Sequence, residues 1–519
     1  MRFSRFVAPA LVLLVGSTAA QEYEKEHGGS CAFPPDVYSV KPYPSATHSS
    51  VPTFTMSVAG TTSTVDVDLV VIGGGSGGIH AAIQLKDAGA KVIVIEKKKQ
   101  IGGHAETYKA PNGTPINAGV VVFEDLPVVN NYFTRLNVNK TLFSFSTDTP
   151  PSTPPSTLFD FSLGIPIPAQ NASAAQAQNL AIAAAVKSYS TNVLSKYPWI
   201  DNGFLVPSPV PAELLIPFSS LAKKYNFEAL LPLIAQLNYY TGDVSAIPAL
   251  YGIKGFGPGL LSSVFSKFIV PSSRDTRTLY EAAAKDLGDA VLLESTIVNV
   301  KREVKIAKHT TGVTVLVTQP GKAPTLIRAK KLLVAIPQTI KNIGTYDLSS
   351  EERSLFSKFS AIGYWAGVAK IPDLRNGVQN VGINTPYNQA PIPHCSMFQY
   401  NAGALDYFTA AVGFDTLNYT EASSQAIVRA DLKRLEAAGG VPVGSAEKVT
   451  FPFSSDHGPF NLRVTPQEIG AGFYEKLIGF EGKRNTYWTG AAFASHDSAL
   501  IWNYNMGTVV PGLKKDLEL

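Results

Sequence analysis

The chain is poor in cysteine and in charge. Two cysteines, Cys31 and Cys395, in 519 residues exclude a disulfide-built scaffold and leave no thiolate metal cluster, so no metal site is expected. Charged residues are 16% of the chain against 45% hydrophobic ones, which excludes disorder as its main state. One sign does not dominate either: 44 Lys and Arg against 40 Asp and Glu leave +4, with Arg2 and Arg5 supplying two of the positives. Neither nucleic acid nor an anionic membrane surface has an electrostatic claim on such a chain. No apolar stretch reaches the ~20 residues of a spanning helix, so no transmembrane segment is expected. What is there is a large, nearly neutral globular protein with 42 glycines, long enough for two to four domains at ~150 residues each.

Arg2 and Arg5 precede an apolar run from Phe6 to Gly16 that closes on Ser17-Thr18-Ala19-Ala20. This is a positive n-region, an h-region of the expected ~7–15 residues and a small-residue cleavage site, so residues 1–20 read as a signal peptide. Residues 21–64 are rich in Gly, Pro, Ser and Thr without periodicity and read as an irregular leader. Sequons at Asn112, Asn139, Asn171 and Asn418 agree with a secreted glycoprotein. In that setting Cys31 and Cys395 are open to pairing, which geometry decides.

Order begins at Val65. Asp66-Val-Asp-Leu-Val-Val-Ile72 is the β-branched run of a strand buried on both faces. Gly73-Gly-Gly-Ser-Gly-Gly78 follows, then helical apolar spacing to the stop at Gly89, then a second buried strand, Lys91-Val-Ile-Val-Ile-Glu96. The unit is β-α-β in about 30 residues, the dinucleotide-binding motif. Gly73 makes the tight turn, Gly75 lets the backbone approach a pyrophosphate, and Gly78 lets helix and strand pack closely. Ser76 and Gly77 open the helix, whose N–H groups and positive dipole end face the phosphates. Glu96, 23 residues after Gly73, is placed to accept from the adenosine ribose hydroxyls and to repel a 2′-phosphate, which argues against NADP.

The continuation Glu96-Lys-Lys-Lys-Gln-Ile-Gly102-Gly103-His104 resembles the flavin amine oxidase signature, an acid followed by Gly-Gly and usually Arg. Physically, a second glycine pair lets another loop approach a longer cofactor. His104 departs from the usual Arg: it is a weaker phosphate contact and is open to covalent flavin attachment, with non-covalent binding the first expectation. Ala118-Gly119 resembles the small-Gly step beside the flavin ring. Further along, Val298 in Leu292–Glu303 looks like the adenine contact, and Asn485-Thr-Tyr-Trp-Thr-Gly490 like the strand that ends at the flavin. Asn503-Tyr504-Asn505-Met506-Gly507 resembles the opening of the last helix, whose N–H groups receive the flavin pyrimidine oxygen and favour the anionic reduced ring. The acid expected after Gly490 is missing, with Ala491 and Ala492 in its place and Asp497 a candidate substitute from a longer loop.

The chain thus resembles the FAD-dependent amine-oxidase-like superfamily, and within it the secreted β-cyclopiazonate dehydrogenase-like branch. The Gly-Gly-His feature is also similar to that of flavin-dependent polyenoic fatty acid isomerases. The resemblance implies an α/β fold, a Rossmann-type FAD domain (65–125, 250–345 and 450–515) interleaved with an α+β substrate domain (126–249 and 346–449). It implies an oxidoreductase that moves a hydride from a small, largely apolar substrate, a secondary metabolite or an amine, to flavin N5, with O2 as possible acceptor. Tyr504 is the aromatic expected to face the flavin, with Trp488 and Trp502 as candidates for the opposite wall, while His104 and His496 are candidates near a flavin edge. Cofactor contacts are expected at Gly73, Gly75, Ser76, Gly77, Gly78, Glu96, Gly102, Gly103, His104, Val298, Gly490 and Asn505. An isomerase that returns the hydride with no net redox, and a flavoprotein that binds without turnover, stay open.

Overall fold

The computed structural model describes residues 63–145, 148, 153–237, 243–308 and 310–519. The expected signal peptide, the expected leader up to residue 62 and Cys31 lie outside the described residues. Cys395 is buried, and its thiol contacts the Met397 carbonyl.

The buried run seen in the sequence forms the strand Ser63–Ile72, fully enclosed from Leu69 onward. It lies parallel to Val92–Ile95 on one side and to Thr325–Val334 on the other, with Ile72 opposite Ile95 and Val334. Val291–Leu292 extends the sheet beyond Val92–Ile95, and Thr486–Trp488 pairs in parallel with the last three residues of Thr325–Val334. The first half of Thr325–Val334 instead continues into an antiparallel meander with Thr310–Thr318 and Thr296–Ala307. Seven strands result, and the parallel ones all run the same way. Their C-terminal ends, at Ile72, Ile95, Val334 and Trp488, therefore share one edge of the sheet, where ligands bind in open α/β folds.

A second sheet, of eight strands, has Ser360–Lys370 flanked by Thr450–Asp456 and Tyr407–Phe414, and continues through Cys395–Tyr400 and Val378–Asn380 to Thr157–Asp160 and Ile165–Pro166. Phe460–Arg463 also pairs with Ser360–Lys370. Residues 450–463 thus belong to this second sheet, although the sequence pattern groups them with the cofactor-binding segments. The helix Glu421–Ala437, capped by Thr420, covers one face and buries Val428, Leu432 and Leu435 against Phe398, Phe408 and Val412. A helical block follows the Ala-rich helix Ala172–Asn192, which runs two turns beyond its Ala/Gln-rich stretch because Tyr189 buries in the core.

One buried ionic knot ties the meander to the helix Ser350–Phe356. Arg302, whose side chain is wholly enclosed, donates to Asp347 at 2.7 Å and forks onto both oxygens of Glu352 at 2.7 and 2.8 Å. Glu352 also closes the capping box of that helix. Removing one partner strands the other charges away from water. Arg302→Met is expected to cost about 3 kcal/mol, the low end for a broken buried pair because Arg484 also reaches Asp347 and Glu352. A urea midpoint lowered at constant slope checks this; an unchanged midpoint refutes it.

Candidate active site

The strand ends open on a cavity of about 3010 Å³, roughly three times the upper end of ordinary small-molecule sites (~300–1000 Å³). Gly73, Glu96, Ala335 and Gly490, each close behind a strand end, line it. The second sheet supplies another wall through Ala366, Met397 and Thr409, and the helical block a third through Leu233, Leu260 and Phe265.

The turn after Ile72 shows what the glycines do. A Cβ on Gly78 would sit 2.1 Å from the Gly73 carbonyl oxygen, so only glycine lets the helix Ser76–Asp87 start against its strand. Gly103, at φ +59°, brings its loop so near that a Cβ there would stand 3.1 Å from the Gly75 Cα. Bare backbone thus faces bare backbone at the helix N-terminus, the cradle a pyrophosphate requires. Glu96 ends its strand as expected. Its carboxylate accepts from the Gly74 N–H at 2.8 Å and the Lys98 N–H at 2.7 Å, tying the second strand to the phosphate loop.

Gly73, Gly75, Ser76, Gly77, Glu96, Gly102, Gly103, His104 and Gly490 share the cavity wall, as do Ala118 and Gly119. Gly78 lies behind it in its packing role. Four expected residues are elsewhere. Val298 is half-buried at a bulge of the meander and does not reach the wall. Trp488 is fully buried and packs on Phe356 at 4.8 Å. Tyr504 is equally enclosed, with its hydroxyl 2.6 Å from Glu481. Asn505 is buried as well; it donates to the Gly77 carbonyl at 2.8 Å and accepts from Thr489 at 2.5 Å.

The expectation that Tyr504 and Trp488 face the flavin is therefore corrected, and one cause explains Tyr504 and Asn505 together. The last helical run begins at Ser498, not near Asn505, with Asp497 as its N-cap accepting from Leu500 N–H at 3.1 Å. Tyr504 lies six residues further, about 9 Å down the axis, where the helix is inside the core. Residues 505–509 form a π-helical turn within the run. Asp497 lines the cavity, so the longer loop after Gly490 does bring an acid there. Trp502 ties the run to the phosphate loop, its indole N–H reaching Ser76 at 3.0 Å.

Three imidazoles form a stack on the cavity wall. His104 lies parallel to His457 at 4.2 Å and to His496 at 6.0 Å, and Phe460 covers His496 at 4.0 Å. Burial, helped by the neighbouring imidazoles and by Lys98 and Lys97, holds His104 well below the usual histidine range. Burial likewise takes His496 down to about 3, with the Arg463 charge contributing. Both rings are neutral at pH 7. Behind them Glu106 pairs with His457 at 3.0 Å and Lys98 at 2.8 Å. Burial works to raise this carboxyl, but bonds from His457, Lys98 and Ser455 outweigh it and hold it at about 2. The stacked geometry does not converge on a metal: no metal-ligating cluster forms among the described residues.

A second polar group surrounds Lys254, which donates to the carbonyls of Ile200 and Gly203. Burial lowers its ammonium to about 7 against the pull of Asp201, Asp497 and Glu124. Burial also pushes Glu124 well up, and its Oε2 has no hydrogen-bond partner. His457, Lys254 and Glu124 carried no signal in the sequence, because their partners lie tens to hundreds of residues away.

A Rossmann-type sheet with a glycine cradle at its strand ends, opening into a far larger apolar chamber, defines a dinucleotide-dependent oxidoreductase. Comparison with known proteins then places it. The NAD(P)-binding Rossmann-like domain family matches residues 71–136. The chain is 56% identical to the FAD-dependent oxidoreductase dpchF of Colletotrichum higginsianum, over 89% of this chain and 96% of that one. It is 31% identical to the beta-cyclopiazonate dehydrogenase of Aspergillus oryzae, over 85% and 92%. Among solved structures, the CLA-producing fatty acid isomerase of P. acnes (TM-score 0.67, 18% identity, 86% and 98% covered) and the cyclohexylamine oxidase of Brevibacterium oxydans (0.57, 15%, 88% and 99%) share the fold. The chain belongs to the FAD-dependent oxidoreductases, and its cofactor is FAD.

If the cradle holds FAD, closing it must release the cofactor. Gly75→Val, whose Cβ meets only the Gly103 Cα at 3.8 Å and whose methyls would stand in the cradle, is expected to purify without flavin absorbance bands. Gly507→Ala, where a Cβ meets nothing within 4 Å, should retain them in full. Equal flavin content in the two would refute the assignment.

Proposed function

We propose that this flavoenzyme oxidises a small, largely apolar molecule by taking a hydride from one of its C–H bonds, with O2 as the terminal acceptor, and that it works outside the cell. Bound FAD supplies the hydride acceptor, the one capacity the side chains lack. Gly73, Gly75, Gly77, Gly102 and Gly103 would hold its pyrophosphate and Glu96 its ribose, while His104, Gly119 and Gly490 border the remaining length of the cavity. The chain's own residues contribute binding, orientation and exclusion of water.

The observation that carries the substrate class is the chamber beyond the cradle. Its walls include Phe143, Leu233, Leu260, Phe265 and Phe268, and its histidine face is uncharged at His104 and His496. Apolar walls of this kind hold a substrate by area removed from water, at roughly 25 cal/mol per Å2. Similarity to a dehydrogenase named for beta-cyclopiazonate supports small-molecule oxidation. Export is supported by the N-terminal pattern and by the exposure of all four sequon asparagines, Asn112, Asn139, Asn171 and Asn418.

Turnover of apolar metabolites from the producing cells is expected to consume O2 and yield products lighter by two hydrogens. A product of unchanged mass with shifted unsaturation would replace this reading by isomerisation. In a secreting host, the mature chain should begin near residue 21 and lose mass on deglycosylation.

A further inference from the structure

Arg463 ends the strand Phe460–Arg463 and lines the cavity, yet it forms no ion pair among the described residues. Its Nε makes one long contact, 3.4 Å, to the Asn461 carbonyl, and its guanidinium lies 5.8 Å over the Tyr251 ring. The nearby phenols are committed elsewhere. Tyr474 donates to the Tyr251 oxygen at 2.9 Å, and Tyr251 exchanges bonds with the Val464 backbone at 2.8 and 3.1 Å. Burial lowers Arg463 to about 10, so it stays cationic at neutral pH. The described acids lining the cavity, Glu96, Glu124, Asp148, Asp243, Asp415, Asp456 and Asp497, form no ion pair with it, and Asp456 is bound by Tyr419 and the Gly458 N–H.

A second orphan stands beside it. His496 has a buried Nε2 with no hydrogen-bond partner, and its ring is held by Phe460, three residues from Arg463 on the same strand. Arg463 and His496 both line the cavity, and Phe460 packs on His496 while sharing a strand with Arg463, so the two groups border one region of the wall. A half-buried guanidinium without a counter-charge is costly, and so is a buried ring nitrogen without a partner. A ligand oxygen carrying negative charge satisfies both at once: the guanidinium fork donates to it, and the imidazole donates in its Nε2–H tautomer.

We propose that the Arg463 guanidinium and His496 Nε2 form a binding site for an anionic oxygen, a carboxylate or an ionised enol, on an otherwise apolar substrate. This rests on the chamber being the substrate site, and it adds polarity and direction to it. An amphiphilic ligand anchored at Arg463 lies along the apolar walls in a single sense, whereas a purely apolar one has no such register.

The test uses purified holoenzyme and two probes of equal chain length, decanoate and 1-decanol, titrated by flavin absorbance perturbation and thermal shift. Decanoate is expected to bind the wild type saturably. Arg463→Gln, which orphans no carboxylate, is expected to weaken decanoate about 10- to 100-fold, as for a lost charge-assisted contact, while 1-decanol changes less than about twofold. Arg463→Lys should fall between, keeping the charge without the fork. His496→Phe, which preserves the stack, should weaken decanoate by a smaller factor. Unchanged decanoate affinity in Arg463→Gln overturns the site, as does equal loss of both probes. So does altered flavin content or absorbance without probe, which would assign the guanidinium to the cofactor. If 1-decanol binds the wild type and decanoate does not, the anionic site falls and the apolar chamber stands. If neither binds, both readings fall.

Discussion

Everything at the cofactor cradle depends on how closely the helix Ser76–Asp87 approaches the strand before it. With a Cβ on Gly78 due only 2.1 Å from the Gly73 carbonyl oxygen, the crossing tolerates no side chain. That approach aims the first helical N–H groups at the mouth of the sheet. The C-terminal run then uses the same point as its anchor. Trp502 bonds to Ser76, Asn505 to the Gly77 carbonyl and to Thr489, just past the strand Thr486–Trp488. Residues more than 400 apart in sequence thus brace one loop, which explains why Asn505 is buried behind the cradle. It holds the loop in shape from the protein side, leaving the other side to the cofactor.

Beyond the cradle the cavity is divided by electrostatics. The histidine stack presents neutral rings at His104 and His496, and Glu106 stands ionised behind them, so its charge is kept one layer below the surface. The Lys254 group keeps acids and amine close together in a place little touched by solvent, where each favours its uncharged form. Arg463 carries its charge on this wall without an ion pair among the described residues, which lets it direct an incoming ligand.

Legibility in the sequence followed distance along the chain. The β-α-β unit was readable because all its determinants lie within about 30 residues: buried β-branched strands, glycines at fixed offsets and a carboxylate at the second strand's end. Gly102, Gly103 and Gly119 were readable for the same reason, as small residues where backbones meet. The sequence resemblance opens the last helix at Asn503, five residues beyond its start at Ser498. The aromatic and amide residues near 504 resemble an opening turn, whereas the decisive local signal was Asp497, an N-cap whose side chain accepts from Leu500. The assignment of 450–463 to the cofactor-binding part failed because pairing with Ser360–Lys370 leaves no mark in either strand's own pattern.

From sequence alone came the dinucleotide motif, the resemblance to flavoenzymes and the absence of any case for nucleic acid or for a metal held by thiolates. These are properties of local backbone geometry and composition, which neighbouring residues determine. Tertiary structure decided which groups face the cofactor and substrate. It set Tyr504 and Trp488 into the core, stacked His104 on His457 and His496, paired His457 with Glu106 across 351 residues and left Arg463 on the wall without an ion pair among the described residues. Burial and the presence or absence of a partner are relations between distant segments, and a pKa or an unpaired charge exists only once folding has brought those segments together.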